Sequence, residues 1–414
     1  MAEKVEFYKE TEFKDTEIGR IPKEWEVVRI KDLGEVITGT TPSTLVKDYW
    51  NGIYPFVTPT DFSETKYVYK TERKVTQKGV EKGRLIPKDS VLVVCIGSTI
   101  GKISLSSEEC ITNQQINAII CKDRTNPHYV YYAIASRKDT LRAQAGITAK
   151  PIIKKSLFEK LHLPLPSTLE QQKIASILST VDESIQKTDD IIAKTERLKK
   201  GLMQELLTRG IGHTEFKDTE IGKLPEEWKT SNLGEVSYLI MGQSPPSKTY
   251  NRDMIGLPFL QGRMDFGDMY PNPSVYCSKP IKIAEEGDVL VSVRAPVGDV
   301  NIATSKLCIG RGLAAIRPDK NQLDAKFIFY QLKHFSARLV DLGSGSTFKA
   351  IRRNDLERFP TVLPPLSEQQ KIAEILSTVD EKLETLKQEK AKLERMKQWF
   401  MEELLSGRIR VRVA

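Results

Sequence analysis

The chain has 414 residues, 63 Lys+Arg against 55 Asp+Glu, a formal net charge of +8, 39% hydrophobic and 29% charged residues. This balance excludes a disordered or collagen-like chain and suits about two to four folded domains. No apolar run approaches the ~18 residues of a membrane span, and MAEKVEFYKE holds no apolar stretch for a secretory leader. The expectation is a cytoplasmic protein whose basicity favours polyanionic partners.

Residues 1–22 form a first short segment containing TEFKDTEIG at 11–19, followed by Ile21-Pro22 and Trp25. Residues 23–164 read as strands broken by turns rich in hydroxyl and amide side chains. Residues 165–210 change character: between 167 and 209 there is no proline and one glycine, Gly201. Steps of four and three give Ile174, Leu178, Val181, Ile185, Thr188, Ile192, Thr195, Lys199, Leu202 and Leu206, the spacing of a coiled-coil seam. Ser167 with Glu170 predicts a capping box at its start, and Gly210 a stop.

The chain then begins again. TEFKDTEIG returns at 214–222, inside a segment 211–225 that leads to Leu224-Pro225 and Trp228. A second divergent stretch covers 226–363, and a second helical block covers 364–414. EQQKIASILSTVDESI at 170–185 comes back as EQQKIAEILSTVDEKL at 368–383. Its seam reads Ile372, Leu376, Val379, Leu383, Leu386, Lys390, Leu393, Lys397, Phe400 and Leu404. Ser367 with Gln370 predicts its start, and Gly407 its stop. The repeat offset of about 200 residues is too long for a solenoid and indicates two domain-plus-connector units.

The predicted fold is α+β: two mixed, mainly-β domains joined by two long antiparallel coiled-coil helices, with an internal pseudo-twofold repeat. Each helix of about 40 residues would span roughly 60 Å. Packing of each helix on its own domain, or coils between molecules, remain alternatives. Lys390 and Lys397 interrupt the second seam and mark a marginal patch where partners could dock. The helix ends lead back into the repeated hairpin blocks, so joining the chain ends would nearly close a second cycle of the same motif.

The cysteines (Cys95, Cys110, Cys121, Cys277, Cys308) form no C-x-x-C pair, and the histidines (His128, His162, His213, His334) stand far apart, so no metal set is expected. Residues 91–103, VLVVCIGSTIGKI, imitate a phosphate loop. Only three residues separate Gly97 from Gly101, Ile103 replaces the hydroxyl, and the second copy reads Arg294-Ala295-Pro296-Val297-Gly298-Asp299; a strand-to-strand turn fits better. Between the divergent halves DSVLVVCIGSTIGKISL at 89–105 matches DVLVSVRAPVGDVNI at 288–302, and Cys110 is matched to Cys308.

Asn272-Pro273-Ser274-Val275 only partly imitates an amino-methyltransferase loop, and no glycine-rich cofactor loop follows a strand.

Candidate contact residues sit in turns. In the first half they are Thr40, Thr41 and Ser43, Thr58 and Thr60, Asn113, Gln114 and Gln115, and Thr148 with Lys150. In the second they are Gln243 and Ser244, Gln261 with Arg263, Arg311, and Ser346 and Thr347 with Lys349. Such side chains read base edges in the major groove, although a Ser, Thr or Asn turn is also simply a turn. Lys154 and Arg352 follow at matched positions and could hold phosphates.

The doubled TEFKDTEIG-x-[IL]-P-x-x-W and EQQKIA-x-ILSTVDE blocks flanking two divergent domains resemble the specificity subunit of type I restriction-modification systems, over nearly the whole chain. The resemblance implies two target recognition domains reading the halves of a bipartite, asymmetric site in double-stranded DNA, with helices that set the spacing. It implies docking of two modification (adenine methyltransferase) subunits and, through them, restriction subunits. S-adenosylmethionine, ATP and Mg are then expected on those partners, with no cofactor, metal or catalytic residue on this chain. Alternatives are a coiled-coil scaffold with two ligand- or protein-binding domains unrelated to DNA, a self-contained DNA enzyme, and a purely regulatory relative.

Overall fold

The computed structural model describes residues 6–63, 65–146, 151–342 and 350–412. The chain divides into two compact units, Met1–Asp190 with Gln388–Ala414, and Ile191–Lys387.

In the first unit the repeated block is a hairpin, Phe13–Thr16 antiparallel to Gly19–Pro22. Gly19 turns the chain at φ +102°, a conformation glycine adopts readily, and the Thr16 hydroxyl donates to the Gly19 carbonyl at 2.6 Å. The same residues make the same hairpin in the second unit, Phe216–Thr219 with Gly222–Pro225.

The first head contains a five-stranded sheet in the order Gly34–Thr38, Ile116–Cys121, Val91–Val94, Ile103–Ser106, Tyr67–Val68. A four-stranded sheet runs Arg73–Val75, Trp50–Val57, Cys110–Thr112, Leu85–Ile86. Strand Val91–Val94 is apolar throughout because both its faces are covered. Val91 and Val93 join the cluster with Tyr129, Ile174 and Leu178, while Leu92 and Val94 join Val57, Ile86 and Ile116. The antiparallel return Val91↔Leu105 makes 91–103 the strand-to-strand turn expected in place of a phosphate loop.

The second head follows the same plan. Ser237–Met241, Leu313–Pro318, Val289–Ser292 and Val300–Ile302 form one sheet. Tyr250–Asn251, Tyr276–Cys277, Leu257–Leu260, Leu307–Ile309 and Ile283–Ala284 form the other. One sequence match needs correction. Thr112 pairs with Val57 and Ile309 with Leu260, so Cys110 corresponds to Leu307, and Cys308 to Ile111. Adjacent strand residues face opposite sides, which places Cys308 beside Cys277 and Phe259, while Cys110 packs with Val57 and Leu92.

The constant helices are α1, Thr168–Thr208, and α2, Leu366–Leu405. α1 starts in the first unit and ends in the second; α2 runs from the second into the first. Both stop at a glycine in the left-handed region, Gly210 at φ +68° and Gly407 at φ +73°. The starts differ from expectation. Ser167 Oγ accepts the Glu170 amide at 3.3 Å, but the Glu170 carboxylate is engaged elsewhere and does not close the box. Ser367 lies inside α2, whose first turn bonds back to the Pro365 carbonyl. The shared device is a glutamine instead: Gln171 Nε2 donates to the Pro166 carbonyl and Gln369 Nε2 to the Pro364 carbonyl, each at 2.9 Å.

The near-identity of the constant blocks has a structural cause, since they bind each other. Buried Trp25 donates Nε1 to Glu170 at 3.1 Å, and buried Trp228 donates Nε1 to Glu368 at 3.0 Å. The aspartate of each TVDE block then holds a tyrosine from its head: Tyr132 to Asp182 at 2.5 Å, and Tyr330 to Asp380 at 2.8 Å. Head and helix are thus tied at two points about three helical turns apart.

Of the predicted seam residues, Ile174 and Leu178 are buried in the core of the first head and Ile372 and Leu376 in that of the second, while Val181, Thr188, Leu383 and Leu386 are buried further along the helices. The polar interruptions are paired. Lys397 meets Asp182 at 2.7 Å and Lys390 meets Asp189 at 2.6 Å within the first unit, and Lys199 meets Asp380 within the second. Both ends of the chain belong to the first unit, where Phe7–Lys9 pairs antiparallel with Ile409–Val411. Among the described residues no helix is long and apolar enough to cross a membrane.

Candidate nucleic-acid interface

In the first head four turns converge on one edge of the strands. The chain leaves strand Gly34–Thr38 with Gly39 N donating to the Ile116 carbonyl and Thr40 N to the Thr112 carbonyl. A Cβ on Gly39 would lie 2.2 Å from the Asn113 carbonyl oxygen, so only glycine admits this approach. Asn113 N donates to the Val57 carbonyl at 3.1 Å, which brings Thr58 alongside.

The side chains complete this edge. Thr41 Oγ1 donates to Gln114 Oε1 at 2.7 Å. Thr58 and Thr60 share a hydroxyl contact at 2.8 Å, and Asp61 accepts the Thr58 amide and hydroxyl. Asn113 Nδ2 donates to Gln115 Oε1, and Gln115 Nε2 reaches the Ile96 carbonyl at 3.2 Å. Ile153 N donates to the Cys95 carbonyl at 2.8 Å and brings in Lys154. Of the first-half candidates, Thr40, Thr41, Thr58, Thr60, Asn113, Gln114, Gln115 and Lys154 therefore meet. Ser43 lies further along its loop, where its carbonyl accepts Trp50 Nε1. Thr148 and Lys150 lie outside the described residues.

The second head builds the same edge from different residues. Gly242 N donates to the Leu313 carbonyl and Gln243 N to the Ile309 carbonyl. Ser244 Oγ accepts the Arg311 amide at 3.2 Å. Gly310 N reaches the Leu260 carbonyl at 2.7 Å, setting Gln261 and Arg263 beside it. Arg263 is paired with Asp299 at 2.5 Å. Val293 N donates to the Gly312 carbonyl, Ile351 N to the Val293 carbonyl, and Arg352 follows. Gln243, Ser244, Gln261, Arg263, Arg311 and Arg352 thus share one edge, while Ser346, Thr347 and Lys349 lie outside the described residues.

Sequence reading missed Arg294, which it weighed only as part of a failed phosphate loop. Its backbone bridges Ala350, and its side chain is exposed on the same edge as Arg311. The available signal was a charged residue two positions beyond the end of a fully buried strand.

A second feature also escaped sequence reading. In the first unit a cavity of about 910 Å³ is lined by Lys66, Tyr67, His128 and Tyr131 together with α1 and α2 residues including Asp182 and Lys397. Lys66 Nζ donates to Ser179 Oγ at 2.6 Å and lies 5.0 Å from the Tyr132 ring. Burial pushes its ammonium down to about 8 from the ordinary 10.5, against the opposing pull of Asp182.

A model of the type I restriction modification DNA specificity domain matches residues 22–197 and again 225–395, one head and most of one long helix each time. The chain belongs to the family of type I restriction-modification specificity subunits. A relative of this specificity subunit is the putative type I restriction enzyme MjaX specificity subunit of Methanocaldococcus jannaschii, 40% identical, with 99% of each chain covered. The MjaIX specificity subunit of the same organism is 29% identical over 98% of each chain. A solved structure concerned with complex assembly and conformational transition of the type I R-M system shares 28% identity and a TM-score of 0.57, covering 94% of this chain and 99% of the other.

Proposed function

We propose that the heads, 23–164 and 226–363, each read one half of a bipartite, asymmetric site in double-stranded DNA through the edges described above. The observation that carries this is the equivalence of the two edges. The same backbone registers gather four turns in each unit and present different side chains on them. A duplicated framework with unlike faces suits two half-sites that need not be palindromic.

α1 and α2 act as a spacer in this reading, as an antiparallel coiled coil with pseudo-twofold relation. The pairs Asp182–Lys397 and Asp189–Lys390 support it, because seven residues forward in α1 correspond to seven back in α2. The helices also dock two adenine-methyltransferase subunits, which carry S-adenosylmethionine, and through them restriction subunits that use ATP and Mg. This chain itself is non-catalytic.

The test is binding of the purified chain, with and without its modification subunits, to a duplex library over a salt series. Specific enrichment of two separated half-sites, with affinity falling steeply as salt rises, is the expected outcome. Adenine methylation by the isolated chain supplied with S-adenosylmethionine would contradict the non-catalytic assignment. Failure to enrich any duplex would overturn the recognition reading.

A further inference from the structure

The two edges can be compared position by position, because equivalent backbone bonds align them. Asn113 N to Val57 O corresponds to Gly310 N to Leu260 O. Arg311 therefore stands where the first head has Gln114, Gln261 where it has Thr58, and Arg263 where it has Thr60. Cys95 N to Gln115 O corresponds to Val293 N to Gly312 O, so Arg294 stands where the first head has Ile96. Ile153 N to Cys95 O corresponds to Ile351 N to Val293 O, which sets Arg352 opposite Lys154.

Two patterns follow. At 154 and 352 both heads keep a cation, as a contact to a sequence-independent phosphate requires. At 114/311, 96/294 and 60/263 the first head carries Gln, Ile and Thr, and the second carries three arginines. Arg263 is paired with Asp299. Arg311 and Arg294 are exposed, and among the described residues no ion pair holds either guanidinium.

Donor chemistry separates the two edges. A guanidinium offers only donors, in a fixed fork, and matches the paired acceptors O6 and N7 of guanine. A glutamine amide offers one donor and one acceptor and matches N6 and N7 of adenine. In the first head Thr41 donates to Gln114 Oε1 and Gln115 is held by Asn113 and the Ile96 carbonyl, so these amides are oriented before any contact.

We infer that the half-sites differ in base composition. The second head recognises guanine through Arg311 and Arg294, and the first recognises adenine through Gln114 and Gln115. This rests on the DNA-reading function proposed above.

The test is selection from a randomised duplex library by the full-length chain, by Arg311→Gln, by Arg294→Ile and by the reciprocal Gln114→Arg, each checked for an unchanged thermal unfolding midpoint. Expected is a guanine-containing half-site whose preference at single base pairs falls roughly 10- to 100-fold in Arg311→Gln and Arg294→Ile, with the other half-site unchanged. Gln114→Arg should introduce a guanine preference in that other half-site. Identical preferences in wild type and arginine variants, or weaker binding without any change of base preference, would overturn the assignment while leaving DNA recognition standing. No enrichment by the wild-type chain would overturn both.

Discussion

Lys66 shows how a single residue ties a head to its helix. Its ammonium sits against the Tyr132 ring and the Ser179 hydroxyl, close to Asp182 and Lys397, and burial lowers its proton affinity to about 8. Between that value and the ordinary 10.5 the unfolded chain holds a proton that the folded chain releases. Lys66 should therefore make unfolding free energy rise with pH through that window, and contribute no slope below it. Urea midpoints at about pH 8 and 9.5, compared between wild type and Lys66→Met, measure this. A wild-type rise no steeper than that of the variant would refute it. None of this was visible in the sequence, where Lys66 is one lysine among many and Ser179 lies 113 residues away.

The elements explain why some blocks repeat almost letter for letter while others do not. The Trp of the hairpin block and the first Glu of the helix block meet in both units, so neither can change alone. In the first unit the terminal strand adds Arg410, which is 6% exposed and engages Glu170, itself 1% exposed, as well as Glu10. In the second unit His213 takes that place, 2.9 Å from Glu368. Arg410→Met should leave Glu170 buried without its cation and cost about 3–5 kcal/mol in the first unit. Hydrogen exchange should report lost protection at Phe7–Lys9 and Ile409–Val411 while the second head keeps its own. Uniform loss across both heads would show that the clasp is not local.

For the whole molecule the decisive fact is that both long helices change unit midway, α1 between Asp190 and Ile191 and α2 between Lys387 and Gln388. Equal insertions of one heptad near Thr188 and Leu386 keep the helical phase nearly unchanged and lengthen each helix by about 10 Å, or roughly three base pairs. The recognised half-sites should stay the same while the permitted gap between them grows by that amount, read by methylome sequencing of cells carrying the altered chain and its modification subunits. An unchanged gap would refute the spacer role. Lys397 and Lys390 carry a further prediction at this scale. Each is bonded to an aspartate of α1, and Asp182 also holds Tyr132. Exchange of Lys397 alone for leucine therefore strands a half-buried carboxylate and does not simply repair the seam.

The repeat, the two long helices with their glycine stops and the apolar stripes along them were legible in the sequence. Each depends on local spacing or on self-similarity, and both survive without coordinates. Which turns share an edge was decided only by tertiary structure. Strand order brings Thr40, Thr58, Asn113 and Lys154 together from distant positions, and nothing in their spacing announces it. The same holds for Arg294, for the one-residue shift that separates Cys110 from Cys308, and for the helix starts. There Glu170 leaves its local cap for a tryptophan 145 residues earlier, because a buried indole N–H needs an acceptor more than an exposed amide does.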